Sequence, residues 1–277
     1  MYMDFRYSLA GLFVGILIGL TGMGGGSLLA PILILFFHVP PVWAVSTDLA
    51  YSTVTKAVGS IFHIREKHVN FKVAFWLACG SVPATFISVL LVQYVRKHYG
   101  HFINGFIIQA IGCVLILVAV LLFFRPYILR FSEKRSLETQ KQEALSSKVV
   151  ATVNAKPWER FYRPLLTVLI GAFVGFLVGL TSVGSGTLVI VSIVMLYPKL
   201  TAKELVGTDI FQGFMLVASG AIAYFFVGTI NWTITGLLLI GSLPGVIIGS
   251  QLSKYIPNRF MRPVLAVVLA VSGFKLI

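Results

Sequence analysis

Three ionisable side chains stand well inside apolar stretches of this 277-residue chain: Asp48, Lys56 and Asp209. An unpaired charge in hydrocarbon costs several kcal/mol, so such a residue is retained for a pairing or a task. Asp48 and Asp209 each follow a threonine, at Thr47 and Thr208. Lys56 has no counterpart, because Val217 occupies the equivalent place. Asp48, Tyr51, Ser52, Thr55, Lys56 and Gly59 recur at intervals of three and four, which puts them on one helix face. A second stripe of the same kind runs through Asp209, Gln212, Gly213, Gly220 and Tyr224. A carboxylate in a dry site has a tunable proton affinity, which suits Asp48 and Asp209 to coupling by a proton or cation. Lys56 suits an anion.

Two glycine-rich breaks supply the other candidate groups, Thr21-Gly22-Met23-Gly24-Gly25-Gly26-Ser27 and Thr181-Ser182-Val183-Gly184-Ser185-Gly186-Thr187. Unwound backbone at membrane depth persists only where protein or a watered cavity surrounds it. Each break also opens a half-helix, whose free N–H groups and dipole favour an anion. Thr21, Gly24, Gly25, Gly26, Ser27, Thr181, Gly184, Ser185, Gly186 and Thr187 therefore join Tyr51, Ser52, Thr55, Lys56 and Gln212 as the expected anion-binding set. Asp48 and Asp209 are the expected coupling pair. Close packing through small residues would account for the glycines equally; the hydroxyls in both breaks favour binding.

The elements that must hold these residues are membrane helices. Hydrophobic residues make up 57% of the chain and charged ones 11%, where a soluble domain carries about a quarter. Runs such as Phe71–Val95 and Phe102–Phe124 exceed the roughly 20 residues that cross a bilayer. The net charge of +13 is concentrated in short loops and in Arg125–Arg163, which holds nine of the 22 Lys and Arg. That distribution is the one expected of cytoplasmic loops, so nucleic acid is not an expected partner. Cys79 and Cys113 lie far apart in apolar runs and read as buried, inert thiols. The five histidines, His38, His63, His68, His98 and His101, show no metal-ligand spacing, and no motif of an enzyme or cofactor site is present. The chain is expected to have no cofactor, no metal and no enzymatic activity.

An internal duplication orders the whole. Gly11–Leu28 and Gly171–Leu188 are identical at 11 of 18 positions at an offset of 160. The match then continues at an offset of 161 through Asn70/Asn231, Gly80/Gly241, Pro83/Pro244 and Tyr94/Tyr255. Such repeats are common in secondary transporters. The expectation is an all-α polytopic membrane protein with a first transmembrane repeat (1–124), a charged cytoplasmic linker (125–163) and a second repeat (164–277). Each repeat comprises a glycine-broken helical hairpin and three transmembrane helices. With the linker inside a cell (inner) membrane, re-entrant hairpins leave only Arg96 and Lys97 in outside loops. Positive-inside bias therefore predicts inverted repeats. The function expected from the residues alone is passage of a small anion through a multi-pass protein, by alternating access or through a passive channel; a membrane assembly factor is a further alternative.

The pattern G-x-x-x-G-x-x-x-G-L-T-G-M-G-G-G-S-x-x-x-P from Gly11, then A-V-S-T-D-L from Ala44 and G-x-I-x-H from Gly59, resembles the TauE/SafE family of sulfite exporters. The resemblance covers both halves and leaves out the linker. It implies export of a small sulfur-containing anion such as sulfite, thiosulfate or an organosulfonate. The chain departs from the family pattern at Asp48 and Asp209, where many members have serine. His68 stands in place of a customary glycine that Gly228 keeps in the second half.

Overall fold

A computed structural model describes residues 5–21, 29–99, 105–124, 157–197, 200–252 and 258–277. All regular structure among them is helical: α1 (Phe5–Thr21), α2 (Leu29–Phe37), α3 (Pro41–Arg65), α4 (Phe71–Tyr99) and α5 (Gly105–Phe124), then α6 (Pro157–Thr181), α7 (Thr187–Leu196), α8 (Ala202–Val227), α9 (Trp232–Leu252) and α10 (Asn258–Leu276). The expected all-α polytopic architecture is the observed one. Five helices, α4, α5, α6, α8 and α9, are long and apolar enough to cross a membrane. α3 matches their length but is less apolar because it carries the ionic stripe. Large side chains such as Phe13, Phe75, Phe173 and Phe226 point outward, 60% or more exposed, as lipid contact requires.

Both broken segments fold back on themselves. The end of α7 returns to the start of the apolar part of α6, where Tyr197 and Thr167 share a hydrogen bond of 2.8 Å between their hydroxyls. In the first half Tyr7 and Phe37 stack with ring centroids 4.7 Å apart. These two pairs occupy equivalent positions, since Tyr7 and Phe37 lie 160 residues before Thr167 and Tyr197.

The remaining contacts follow the same correspondence. α1 packs on α9 and α6 packs on α4, each through glycines that let backbones touch. A Cβ on Gly11 would strike the Leu238 carbonyl, and one on Gly171 the equivalent Leu77 carbonyl. Gly15 against Ser242 matches Gly175 against Ser81, and Gly241 against Ser8 matches Gly80 against Val168. Between these two interfaces α3 crosses α8 antiparallel: Leu49 meets Gly220, Lys56 meets Gly213 and Ser60 meets Ile210.

The helix ends are set by local chemistry. Thr201 caps α8 in a reciprocal capping box with Glu204, and Gly228 closes it in a left-handed conformation at φ 72°. The equivalent residue ending α3 is Lys67, at φ 57°, so it is Lys67 rather than His68 that replaces this glycine. A lysine in that region costs about 1 kcal/mol that glycine avoids.

Candidate functional site

Asp48 lies wholly buried in α3. Its Oδ1 accepts a hydrogen bond from Ser52 Oγ (3.2 Å), one turn along the same helix. Its Oδ2 accepts from Ser182 Oγ at 2.8 Å, across from the break of the second half. The Ala30 backbone N–H, in the first turn of half-helix α2, faces this carboxylate. One half-helix N-terminus of the protein is thus directed at the protein's own anion, an arrangement its dipole favours.

Lys56 is two turns further along the stripe and 4% exposed. Its Nζ donates to Ser185 Oγ at 2.7 Å, again in the second break. Asp209 and Asp48 are the acidic groups whose charges act on it. Space for the ammonium exists because Gly213 has no side chain: a Cβ there would lie 2.7 Å from Nζ. The break is shaped to reach both groups of α3. Ser182 sits at φ 59° and Gly184 at φ 91°, so two left-handed residues turn the chain between α6 and α7 and present Ser182 and Ser185. The strained serine is held by its bond to Asp48.

A second polar layer lies on α4. Gln212 Nε2 donates to Ser81 Oγ at 2.9 Å, and Thr85 Oγ1 donates to the Ser81 and Gly175 carbonyls at 2.7 and 2.9 Å. The counterpart of Gln212 in the first half is Tyr51, whose buried hydroxyl has no hydrogen-bond partner and lies toward Ser242, the counterpart of Ser81. Several buried polar atoms near these groups in sequence have no protein partner: Thr47 Oγ1, Ser88 Oγ, Thr187 Oγ1 and Gln212 Oε1. Buried polar atoms are rarely left so without a ligand or water.

The structure therefore brings Asp48, Ser52, Lys56 and Ser185 into one cluster, with Asp209 acting on it, Gln212 in a flanking pair with Ser81 and the Tyr51 hydroxyl without a hydrogen-bond partner. Gly184 and Gly186 shape the break, and Thr187 begins α7. Thr181 is spent on the helix end, donating to the Leu177 carbonyl (2.8 Å) and accepting from the Val183 N–H (3.2 Å). Thr55 bonds back to the Ser52 carbonyl at 3.1 Å and is half-buried, apart from the ionic cluster. Gly24, Gly25, Gly26, Ser27 and the Thr21 side chain lie outside the described residues. Sequence reasoning missed Ser182, Ser81 and Thr85. The hydroxyls of Ser81, Thr85 and Ser88, at i, i+4 and i+7 within apolar α4, were the signal for that layer.

Helices of bilayer length, lipid-ready surfaces and a buried ionic cluster between two halves define a multi-pass membrane protein of transporter type. The chain belongs to the sulfite exporter TauE/SafE family, whose profile matches residues 7–276. It is 38% identical over 269 residues to the probable membrane transporter protein YjnA of Bacillus subtilis, covering 97% of this chain and 98% of that one. It is 24% identical over 264 residues to the probable membrane transporter protein YdhB of the same species, covering 95% and 96% of the two chains. The probable membrane transporter protein MJ0441 of Methanocaldococcus jannaschii is 24% identical over 280 residues, covering 96% and 92%. No solved structure matches the chain.

Proposed function

We propose that this membrane transporter is a secondary exporter of a small sulfur-containing anion, such as sulfite, thiosulfate or an organosulfonate, working by alternating access. The observation that carries the reading is the bond from Lys56 on α3 to Ser185 in the break of the opposite half. A buried cation that ties one repeat to the other is a group that an anion can engage and whose engagement moves the halves. The family name supplies the sulfur chemistry. The unpartnered hydroxyl of Thr187 and the amide oxygen of Gln212 supply further polar atoms for a ligand or its waters.

Charge balance suggests how coupling works. Asp48, Asp209 and Lys56 sum to one net negative charge when all are ionised, so Lys56 is already compensated. An incoming anion is opposed by the surplus carboxylate unless a proton or cation neutralises it, because uncompensated charge in a low-dielectric site is costly. Asp48 or Asp209 is the group that takes the coupling ion in this scheme. The cytoplasmic placement of the linker in a cell (inner) membrane completes the reading.

The test is thermal stabilisation of detergent-purified protein by a panel of anions. A ligand present at 100 times its Kd adds about 2.7 kcal/mol to the folded state. Sulfite, thiosulfate or a sulfonate should raise the melting temperature where chloride at equal ionic strength does not. A chloride response equal to the sulfur anions, or no response to any of them, removes the substrate assignment. In proteoliposomes, saturable flux supports alternating access, and flux that rises linearly with concentration supports the passive channel.

A further inference from the structure

The turn from α3 to α4 gathers three metal-ligating side chains that the ionic cluster does not use. The donor atoms of His63, Glu66 and His68 all lie within 4.8 Å of one another. Spacing along the chain kept the two histidines apart; the helix end brings them together. The His68 N–H bonds back to the His63 carbonyl at 3.0 Å and the Lys67 N–H to the Ile64 carbonyl at 3.1 Å. This closure, with Lys67 left-handed, returns the residue five places on to the side of the first. Glu66, one turn from His63, completes the group, and its Oε2 is 2.9 Å from His68 Nδ1. The two imidazole centroids are 6.1 Å apart, and His63 Nδ1 is shielded from solvent with no hydrogen-bond partner.

The closure itself does not call for these residues. The second repeat ends α8 with the same backbone pattern, the Thr229 N–H to the Tyr224 carbonyl, yet Tyr224, Val227 and Thr229 stand at the three equivalent positions. The ligand set belongs to the first repeat alone. We propose that His63, Glu66 and His68 form a site for a divalent transition metal of the zinc class. Two imidazoles and one carboxylate are the donors such ions select, and three protein ligands leave one position for water. Bond lengths near 2.0–2.1 Å put tetrahedral ligand atoms about 3.4 Å apart, so atoms up to 4.8 Å apart close by at most about 1.4 Å, shared between two side chains. Glu66 is 60% exposed and free to make that adjustment. The site adjoins the other half of the protein, because the His68 carbonyl packs on Gly207 of α8 and the Asn70 N–H donates to Thr208 Oγ1 at 2.9 Å. A bound ion stiffens the turn at this junction.

The experiment uses the full chain, untagged, in detergent and stripped of metal with a chelator. Zn2+ is titrated by calorimetry, and Co2+ by its visible ligand-field absorption. One ion per chain is expected, with the intense bands of four-coordinate cobalt. His63→Ala and His68→Ala should each weaken Zn2+ binding by about tenfold or more and abolish those bands. Glu66→Gln, at an exposed position, gives an independent reading if a histidine variant does not fold, and should also weaken binding by about tenfold. Absence of stoichiometric Zn2+ binding overturns the site. So does binding that persists unchanged in both histidine variants, which would place the ion at other histidines of the chain.

Discussion

Lys56 and Ser182 are the residues at which the two halves can be tested singly. Lys56→Met keeps the length of the side chain and removes the charge that Asp48 and Asp209 act on. The expected outcome is a folded, monodisperse protein whose anion-dependent thermal shift is lost and whose transport falls by about a hundredfold, since a hydrogen-bonded charge contributes roughly 1.5–3 kcal/mol. Retention of the full shift would remove Lys56 from the site. Ser182 allows strain and hydrogen bonding to be separated. Ser182→Gly loses the bond to Asp48 but relieves the left-handed backbone at φ 59°; Ser182→Ala loses the bond and keeps the strain. Alanine should therefore destabilise more than glycine, by about 1 kcal/mol, in chemical or thermal unfolding. Equal losses would mean that the backbone there is not strained. The sequence singled out Asp48, Lys56 and Asp209 because an ionisable group in an apolar run has few bland explanations. It did not single out Ser182, because helical spacing tells which residues share a face and not which face of the other half they meet.

At the scale of the helix, the elements themselves were readable. The apolar runs Trp43–His63, Phe71–Val95 and Lys203–Val227 lie within α3, α4 and α8 or differ from them by a residue or a turn at the ends. The break in the second segment is real, and α7 folds back on α6, although the apolar part of α6, Arg163–Thr181, is itself long enough to cross a membrane. What the sequence withheld was the pairing of α1 with α9 and of α4 with α6, since glycines at helical spacing occur on α1, α6 and α9, α4 carries Gly80 alone, and none names its partner. The structure makes those glycines distinguishable. Gly80 has the Val168 carbonyl where a Cβ would go, whereas Gly236 on α9 has open space. Gly80→Ala should cost about 1–3 kcal/mol through overpacking. Gly236→Ala should be neutral or add up to about 1 kcal/mol, because alanine favours helix. Melting of the two variants in the same detergent compares them directly, and equal behaviour would mean that α4 and α6 do not approach as closely as described.

For the whole molecule, the orientation of the halves decides whether alternating access has a structural basis. α3 and α8 occupy equivalent places in the duplication and run antiparallel where they cross, with Leu49 beside Gly220 and Ser60 beside Ile210. At 25 and 26 residues each helix is roughly 38 Å long, more than a ~30 Å hydrocarbon core. If both cross the membrane, two equivalent helices running in opposite directions require inverted repeats, and inversion would let one fold open to either side by the same kind of rearrangement. The consequence is measurable at their C-terminal ends. Arg65 closes α3 and Thr233 lies in the first turn of α9, just beyond α8; both are exposed. Cys79 and Cys113 are exposed on the helix surfaces rather than buried as expected; with both first replaced by serine, Arg65→Cys and Thr233→Cys should react with a membrane-impermeant maleimide from opposite faces of oriented vesicles. Positive-inside bias places Arg65, beside Lys67 and Lys72, on the cytoplasmic face and Thr233 on the other. Labelling of both from one face would mean that α3 and α8 do not both cross. The ionic cluster would then bind its anion without lying between two inverted gates, and the channel reading would replace the alternating one.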